Sequence, residues 1–180
     1  MLLDALPEIP IFKDLDKDQI AELNTWLRRM DFPAGHTVFA EGAPPDGLYV
    51  LARGKVTAVK RSATSPFKVA DLQGPTVFGE MGLLTGERRS AAIQTLTPAV
   101  AGHLPIDLFE AKISQNNLTA FHIALNLGRI ASQRLRAAVE MILLLAEACP
   151  KDRAEREGVE RVYQRIGEYY QRVLQDGISA

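Results

Sequence analysis

Residues 78 to 93 read Phe-Gly-Glu-Met-Gly-Leu-Leu-Thr-Gly-Glu-Arg-Arg-Ser-Ala-Ala-Ile. Two charges in this run are placed to do chemistry. Glu80 follows a glycine, Arg89 precedes Ser90 and Ala91, and the spacer between them is short and apolar. A planar guanidinium can make two parallel hydrogen bonds to a phosphate. A carboxylate can accept the proton of a hydroxyl. A pocket built from this pair can hold a phosphate and a ribose hydroxyl together. Gly79, lacking a Cβ, lets the backbone approach a bound group closely. A Glu and an Arg nine residues apart, taken alone, also suit a surface ion pair on a hairpin.

These residues need a scaffold, and three segments can be separated. Residues 1–32 read as helical. Asp16 followed by Gln19 forms a capping box, which opens an amphipathic helix with Ile20, Leu23, Trp26 and Leu27 on one side. Pro33-Ala34-Gly35 is expected to stop it. Residues 33–115 read as the β core. Short β-type runs recur at Thr37–Phe39, Leu48–Leu51, Val56–Val59, Lys68–Ala70, Thr76–Phe78, Ala91–Ile93 and Val100–Ala101, broken by Gly and Pro turns. Such a series predicts a sandwich or jelly roll. Ser62–Pro66 reads as an exposed hairpin loop. Residues 116–180 read as C-terminal helices, after a short helix over Asp107–Ile113. A long helix spans Asn117–Ala148, Pro150 ends it, and another spans Lys151–Leu174. The fold class is therefore mainly β with flanking helices.

The chain has 180 residues and a net charge of −1, which gives no basic surface for nucleic acid. No apolar run is long enough to span a bilayer, and no signal peptide is evident at the N-terminus. One cysteine, Cys149, excludes an intrachain disulfide and any Cys-rich metal or iron–sulfur site. It reads as a helix-end packing residue. His36, His103 and His122 show no metal-ligand spacing, and no Ser-His-Asp set stands out. The expectations are a cytoplasmic protein, not an enzyme, with no catalytic residues, no metal and no cofactor.

The run from Phe78 to Ile93 closely resembles the phosphate-binding cassette of the cyclic nucleotide-binding domain family. Pro10-Ile11-Phe12-Lys13-Asp14-Leu15 and Pro33-Ala34-Gly35 through Gly42 look like the family's N-terminal helical piece and first strand. Leu48 through Val56 is similar to its second hairpin. The resemblance covers about residues 10 to 140. It implies a double-stranded β-helix, or jelly roll, with an N-terminal helix and long C-terminal helices. It also implies a ligand, cAMP or cGMP, with cAMP favoured. In that reading Arg89 takes the phosphate, assisted by Ser90 Oγ, the Ala91 N–H and backbone N–H groups of Gly79, Glu80 and Met81. Glu80 takes the ribose 2′-hydroxyl and so selects ribose over deoxyribose. Many members carry proline before the binding arginine, whereas this chain has Arg88, which either adds positive potential or offers a second phosphate ligand. Arg89 is preferred because it directly precedes Ser90-Ala91. Val69 and Leu72 are candidates to pack against the base. Further base contacts are expected from residues 134–142 of the long helix. Ser90 leaves the choice of base open.

The long helix carries Phe121, Ala124, Gly128, Ala131, Leu135, Ala138, Ile142, Leu145 and Cys149 at alternating spacings of three and four. That is a heptad seam for two helices lying together. The face can pack on its own sandwich or on a second copy. The resemblance favours the second, a parallel homodimer through helix 117–149. Lys151–Leu174 has apolar residues opposite interleaved Arg and Glu, which reads as a packing helix with a solvated mixed-charge face. A helix-turn-helix needs two helices and a turn, so no DNA partner is expected. The implied role is a receptor whose C-terminal helices change on ligand binding and signal to a protein effector. The alternatives are a DNA-binding regulator and a structural dimerisation protein with a vestigial pocket.

Overall fold

The computed structural model describes residues 6–61 and 67–148. The expectations for the Ser62–Pro66 loop, for Cys149 and for a helix over Lys151–Leu174 lie outside those residues, as do the side chains of Ala138, Ile142 and Leu145. The chain divides into two compact units, Met1–Ile130 and Ala131–Ala180. The sandwich belongs to the first.

Two short 3-10 turns, Leu6–Glu8 and Pro10–Phe12, open the described chain. They bury Leu6, Ile9, Ile11 and Phe12 almost completely. Helix α1 (Lys17–Trp26) follows. Its capping box is present in both directions: the Gln19 N–H donates to Asp16 Oδ1 at 2.8 Å, and the Asp16 N–H donates to Gln19 Oε1 at 3.0 Å. The helix ends at Trp26 rather than at Pro33. Residues Arg28–Phe32 form strand β1 instead. The physical reason lies in pairing: all five residues of β1 find antiparallel partners in Ala99–His103. Backbone hydrogen bonds to that strand outweigh a side-chain pattern that carries no clear alternation.

The remaining strands are β2 (Thr37–Phe39), β3 (Gly47–Arg53), β4 (Lys55–Lys60), β5 (Phe67–Gln73), β6 (Thr76–Phe78), β7 (Ala92–Thr95) and β8 (Ala99–Pro105). Among the described residues they form two four-stranded antiparallel sheets, ordered β1-β8-β3-β6 and β2-β7-β4-β5. This is the jelly roll with flanking helices that the sequence predicts. Strand β3 explains the layering. Its residues Gly47 to Leu51 are all buried, because each face of the strand meets a separate apolar layer. Leu48 and Val50 join Leu104 and Val77 under the helices, while Tyr49 and Leu51 join Val56, Phe78, Ile93 and Ala99 between the sheets.

Helices α3 (Ile106–Ser114) and α4 (Leu118–Ala148) follow β8. Phe109, Ala120, Ile123 and Leu127 bury against the layer of Leu48 and Val50. Asn126 fixes the rotation of α4, since its side-chain amide donates to the carbonyls of Ile11 at 3.2 Å and Lys13 at 2.7 Å. The seam expected on this helix changes accordingly. Ala124 packs on the core, whereas Phe121, Gly128, Ala131 and Leu135 are exposed. In the first unit the exposed large apolar residues of this helix include Leu118, Phe121 and Leu125, and in the second they include Leu135, Val139 and Leu143. Within each unit these positions share one helical face.

The capping box makes a direct test. Asp16→Ala removes the side-chain acceptor for the Gln19 N–H and is expected to lower stability by about 1 kcal/mol in urea denaturation.

Candidate functional site

The stretch between β6 and β7 carries the chain from one sheet to the other. It folds as a short helix, α2 (Glu80–Thr85), between Gly79 and Gly86. Gly79 has φ +80°, a left-handed conformation that β-carbon-bearing residues resist. A Cβ there would lie 2.6 Å from Arg89 Nη1. The glycine is thus demanded twice, by its backbone and by the arginine beneath it. Leu83 turns inward and joins the layer of Leu48, Phe109 and Leu127.

Arg89 is the most buried charged residue of this stretch, 3% exposed. Nη1 donates to the Gly79 carbonyl at 3.0 Å, and Nη2 donates to the Gly47 carbonyl at 2.8 Å. Nη2 also forms an ion pair with Asp46 Oδ1. The guanidinium carbon lies 4.1 Å from the centre of the Phe39 ring and 5.9 Å from that of Tyr49. Phe39, Tyr49 and Phe78 pack on one another, with Tyr49 and Phe78 stacked at 5.2 Å. The guanidinium therefore rests on an aromatic floor, where ring faces attract a cation. One of the three nitrogens of Arg89, Nε, is buried and has no hydrogen-bond partner among the described residues.

Asp46 is the hub of the polar contacts. Tyr49 Oη donates to Asp46 Oδ2 at 2.7 Å. His103 Nε2 lies 3.6 Å from the same oxygen. Burial pushes the Asp46 carboxyl up, but hydrogen bonds from Tyr49 and Arg89 and the Arg89 charge outweigh it and hold the group below the ordinary carboxylate range. Burial, then the bond to Asp46 and its negative charge, push the Tyr49 phenol up. Burial holds the His103 imidazole below its ordinary value, against the attraction of Asp46.

The structure brings some of the sequence-derived residues together and leaves others apart. Gly79 touches Arg89 through its carbonyl, and Glu80 opens α2 one residue on, half-buried. Met81 and Ser90 are exposed and adjacent, with Ser90 Oγ donating to Met81 Sδ at 3.7 Å. Ala91 is half-buried just ahead of β7. Arg88 points the other way from Arg89: it is exposed, and its Nη1 donates to the Gly42 carbonyl at 2.8 Å. Leu72 packs in the layer between the sheets opposite Val56, whereas Val69 stands exposed at a bulge in the β4–β5 ladder. Sequence reasoning missed Phe39, Asp46, Gly47, Tyr49 and His103. Asp46 pairs with a residue 43 positions away, and no local spacing carries that signal. Among the described residues no cluster of His, Cys, Asp and Glu is arranged to hold a metal ion, and no helix is long and apolar enough to cross a membrane.

The fold is a jelly roll with a buried arginine in the turn between its two sheets. Residues 29–116 match the model of the cyclic nucleotide-binding domain. The chain is 32% identical over 134 residues to the CRP-like cAMP-activated global transcriptional regulator of Mycobacterium tuberculosis, covering 74% of this chain and 58% of that protein. It therefore spans less than two thirds of that relative's length. The catabolite activator protein of Thermus thermophilus is similar in structure, with a TM-score of 0.68 at 28% identity over 77% of this chain and 64% of that one. A cyclic nucleotide-binding domain from Methylobacillus flagellatus shares the fold, with a TM-score of 0.70 at 20% identity over 83% of this chain and 84% of that one. The chain belongs to the cyclic nucleotide-binding domain family.

Gly79→Ala tests the packing of the site. It forces a Cβ into a left-handed residue and against the guanidinium, and is expected to cost about 1–3 kcal/mol in chemical denaturation.

Proposed function

We propose that this protein is a receptor for a cyclic mononucleotide, with cAMP favoured over cGMP. The observation that carries the reading is the state of Arg89. Its guanidinium is held on three sides inside the cassette, yet Nε remains unpaired in a buried position. A buried donor without a partner costs free energy, and a phosphate oxygen is the acceptor that best matches a guanidinium. Glu80, at the first turn of α2, supplies a carboxylate for the ribose 2′-hydroxyl. Gly79, Met81, Ser90 and Ala91 line the same turn. Val69 and Leu72 remain the residues proposed to meet the base. The preference for cAMP rests on the similarity to the M. tuberculosis regulator, whose name gives it as cAMP-activated.

The role is binding and signalling rather than catalysis. Leu83 gives the signal a route out of the cassette, because it packs in the same apolar layer as Phe109 of α3 and Ile123 and Leu127 of α4. A ligand that favours one placement of α2 favours one packing of those helices, in proportion to its differential affinity for the two. The output partner is proposed to be a protein effector, and the chain to act as a homodimer through helix 117–149. The exposed row of Leu118, Phe121 and Leu125 supports the second proposal, since a continuous apolar face on a helix favours a second helix. DNA binding is the rival that the same relative raises. A salt-dependent shift of duplex DNA by this protein would support that rival.

Calorimetric titration with cAMP, cGMP and a cyclic dinucleotide tests the reading. Heat is expected with a cyclic mononucleotide, and its absence with all three contradicts the proposal. Arg89→Ala is expected to weaken binding by about 2–3 kcal/mol, the scale of a lost charge-assisted contact. Leu125→Glu is expected to leave binding intact and to shift the sedimentation equilibrium toward monomer.

A further inference from the structure

Asp46 has three partners and one charge. Its Oδ1 pairs with Arg89 Nη2, and its Oδ2 accepts from Tyr49 Oη and faces His103 Nε2 across 3.6 Å. The Asp46 side chain is 54% exposed, whereas those of Arg89 and His103 are 2% and 13% exposed. A buried cation therefore depends on a carboxylate that solvent can still reach.

His103 is built toward this carboxylate. Its ring packs on Tyr49 at 4.7 Å between centres. Its Nε2 is buried without a hydrogen-bond partner among the described residues. The approach exists because residue 47 is glycine: a Cβ there would lie 2.7 Å from His103 Nε2. The charged and titratable groups around the imidazole come from four elements. They are Asp46 from the turn before β3, Tyr49 from β3 itself, Arg89 from the turn before β7, and Arg28 from β1, which stands opposite His103 in the sheet. Asp46 favours a charged imidazole, and Arg28 and Arg89 oppose it.

Two charge states follow. With His103 neutral, the charges of Asp46 and Arg89 cancel each other, which leaves little of the Arg89 field for an incoming phosphate. With His103 protonated, Asp46 is shared between two cations. The set carries one net positive charge, and part of the Arg89 field is left for an external anion. We infer that Asp46 is a positioning residue for Arg89, and that protonation of His103 releases Arg89 from it, so that the phosphate ligand binds more tightly in mildly acidic solution. This rests on the cyclic-nucleotide reading of the cassette.

The signs are opposite for affinity and for stability. Burial keeps His103 below its unfolded value, so the unfolded chain takes up the proton first. The ligand-free protein loses the stability due to neutral His103 as pH falls through the ordinary histidine range, about 6.5, while nucleotide affinity rises over the acidic side of that range.

The test has two arms. In the first, the His103 imidazole is titrated by NMR without nucleotide, in the wild type and in Asp46→Asn. That variant keeps an acceptor for Arg89 and removes the charge. The midpoint is expected to fall in the variant, and an unchanged midpoint overturns the coupling. In the second arm, cAMP and cGMP are titrated calorimetrically at about pH 8 and about pH 5.5. Wild-type affinity is expected to rise about threefold to tenfold at the lower pH, the range of an interaction between partly screened charges. His103→Gln and His103→Phe, the latter keeping the ring on Tyr49, are expected to flatten the profile. A flat wild-type profile, or a rise that persists in both variants, overturns the inference. Failure of both nucleotides to bind at either pH contradicts the receptor reading instead, and the first arm still decides whether Asp46 and His103 are coupled.

Discussion

A guanidinium taken out of water must be given partners, and much of this structure near the cassette answers that demand. Removing a unit charge from solvent costs several kcal/mol even after the protein relaxes. Arg89 recovers that cost from an acid, two backbone carbonyls and an aromatic floor. Each partner fixes something else in turn. The Gly79 carbonyl sets the left-handed entry to α2. The Gly47 carbonyl and Asp46 set the start of β3, the strand that both apolar layers share. The Phe39 ring ties β2 to the same point. The cation is thus the pin through which the turn between the sheets is held to both of them.

In the proposed receptor, that arrangement gives a small ligand a route to distant layers. Tyr49 and Leu51 face the layer between the sheets, and Leu48 and Val50 face the layer under the helices. A change at Arg89 therefore reaches the aromatic layer directly and the helical layer through β3 and Leu83. Close-packed layers pass on small displacements because they have few voids to absorb them. On the polar side, the carboxylate that holds Arg89 is the one with which a phosphate would compete in the proposed receptor.

Much of the fold was legible in the sequence. Asp16 and Gln19 announced the first helix because a capping box is a local device, complete within four residues. The short β-type runs announced most of the strands for the same reason. Strand β1 was not legible. Arg28, Arg29 and Asp31 point to solvent and only Phe32 is partly buried, so the strand is specified by its pairing with β8. The apolar row of α4 was legible as a row but not in its phase. Ala124 and Leu125 are both apolar, and Asn126, by gripping the carbonyls of Ile11 and Lys13, decides which of them turns inward. In the cassette, residue order marked Glu80 and Arg89 as a pair of interest. The partners Asp46, Tyr49 and His103 come from the turn before β3, from β3 and from β8, and only the folded sheets bring them to Arg89.

The central claim is that Arg89 keeps Nε in reserve for a phosphate. The most direct measurement follows the Arg89 Nε–H resonance by NMR while a cyclic mononucleotide is added. The buried Nε–H is expected to be resolved in the ligand-free protein and to shift strongly downfield, saturating with the calorimetric isotherm. A resonance that stays in place when the calorimetric isotherm is complete contradicts the claim and moves the phosphate contact elsewhere.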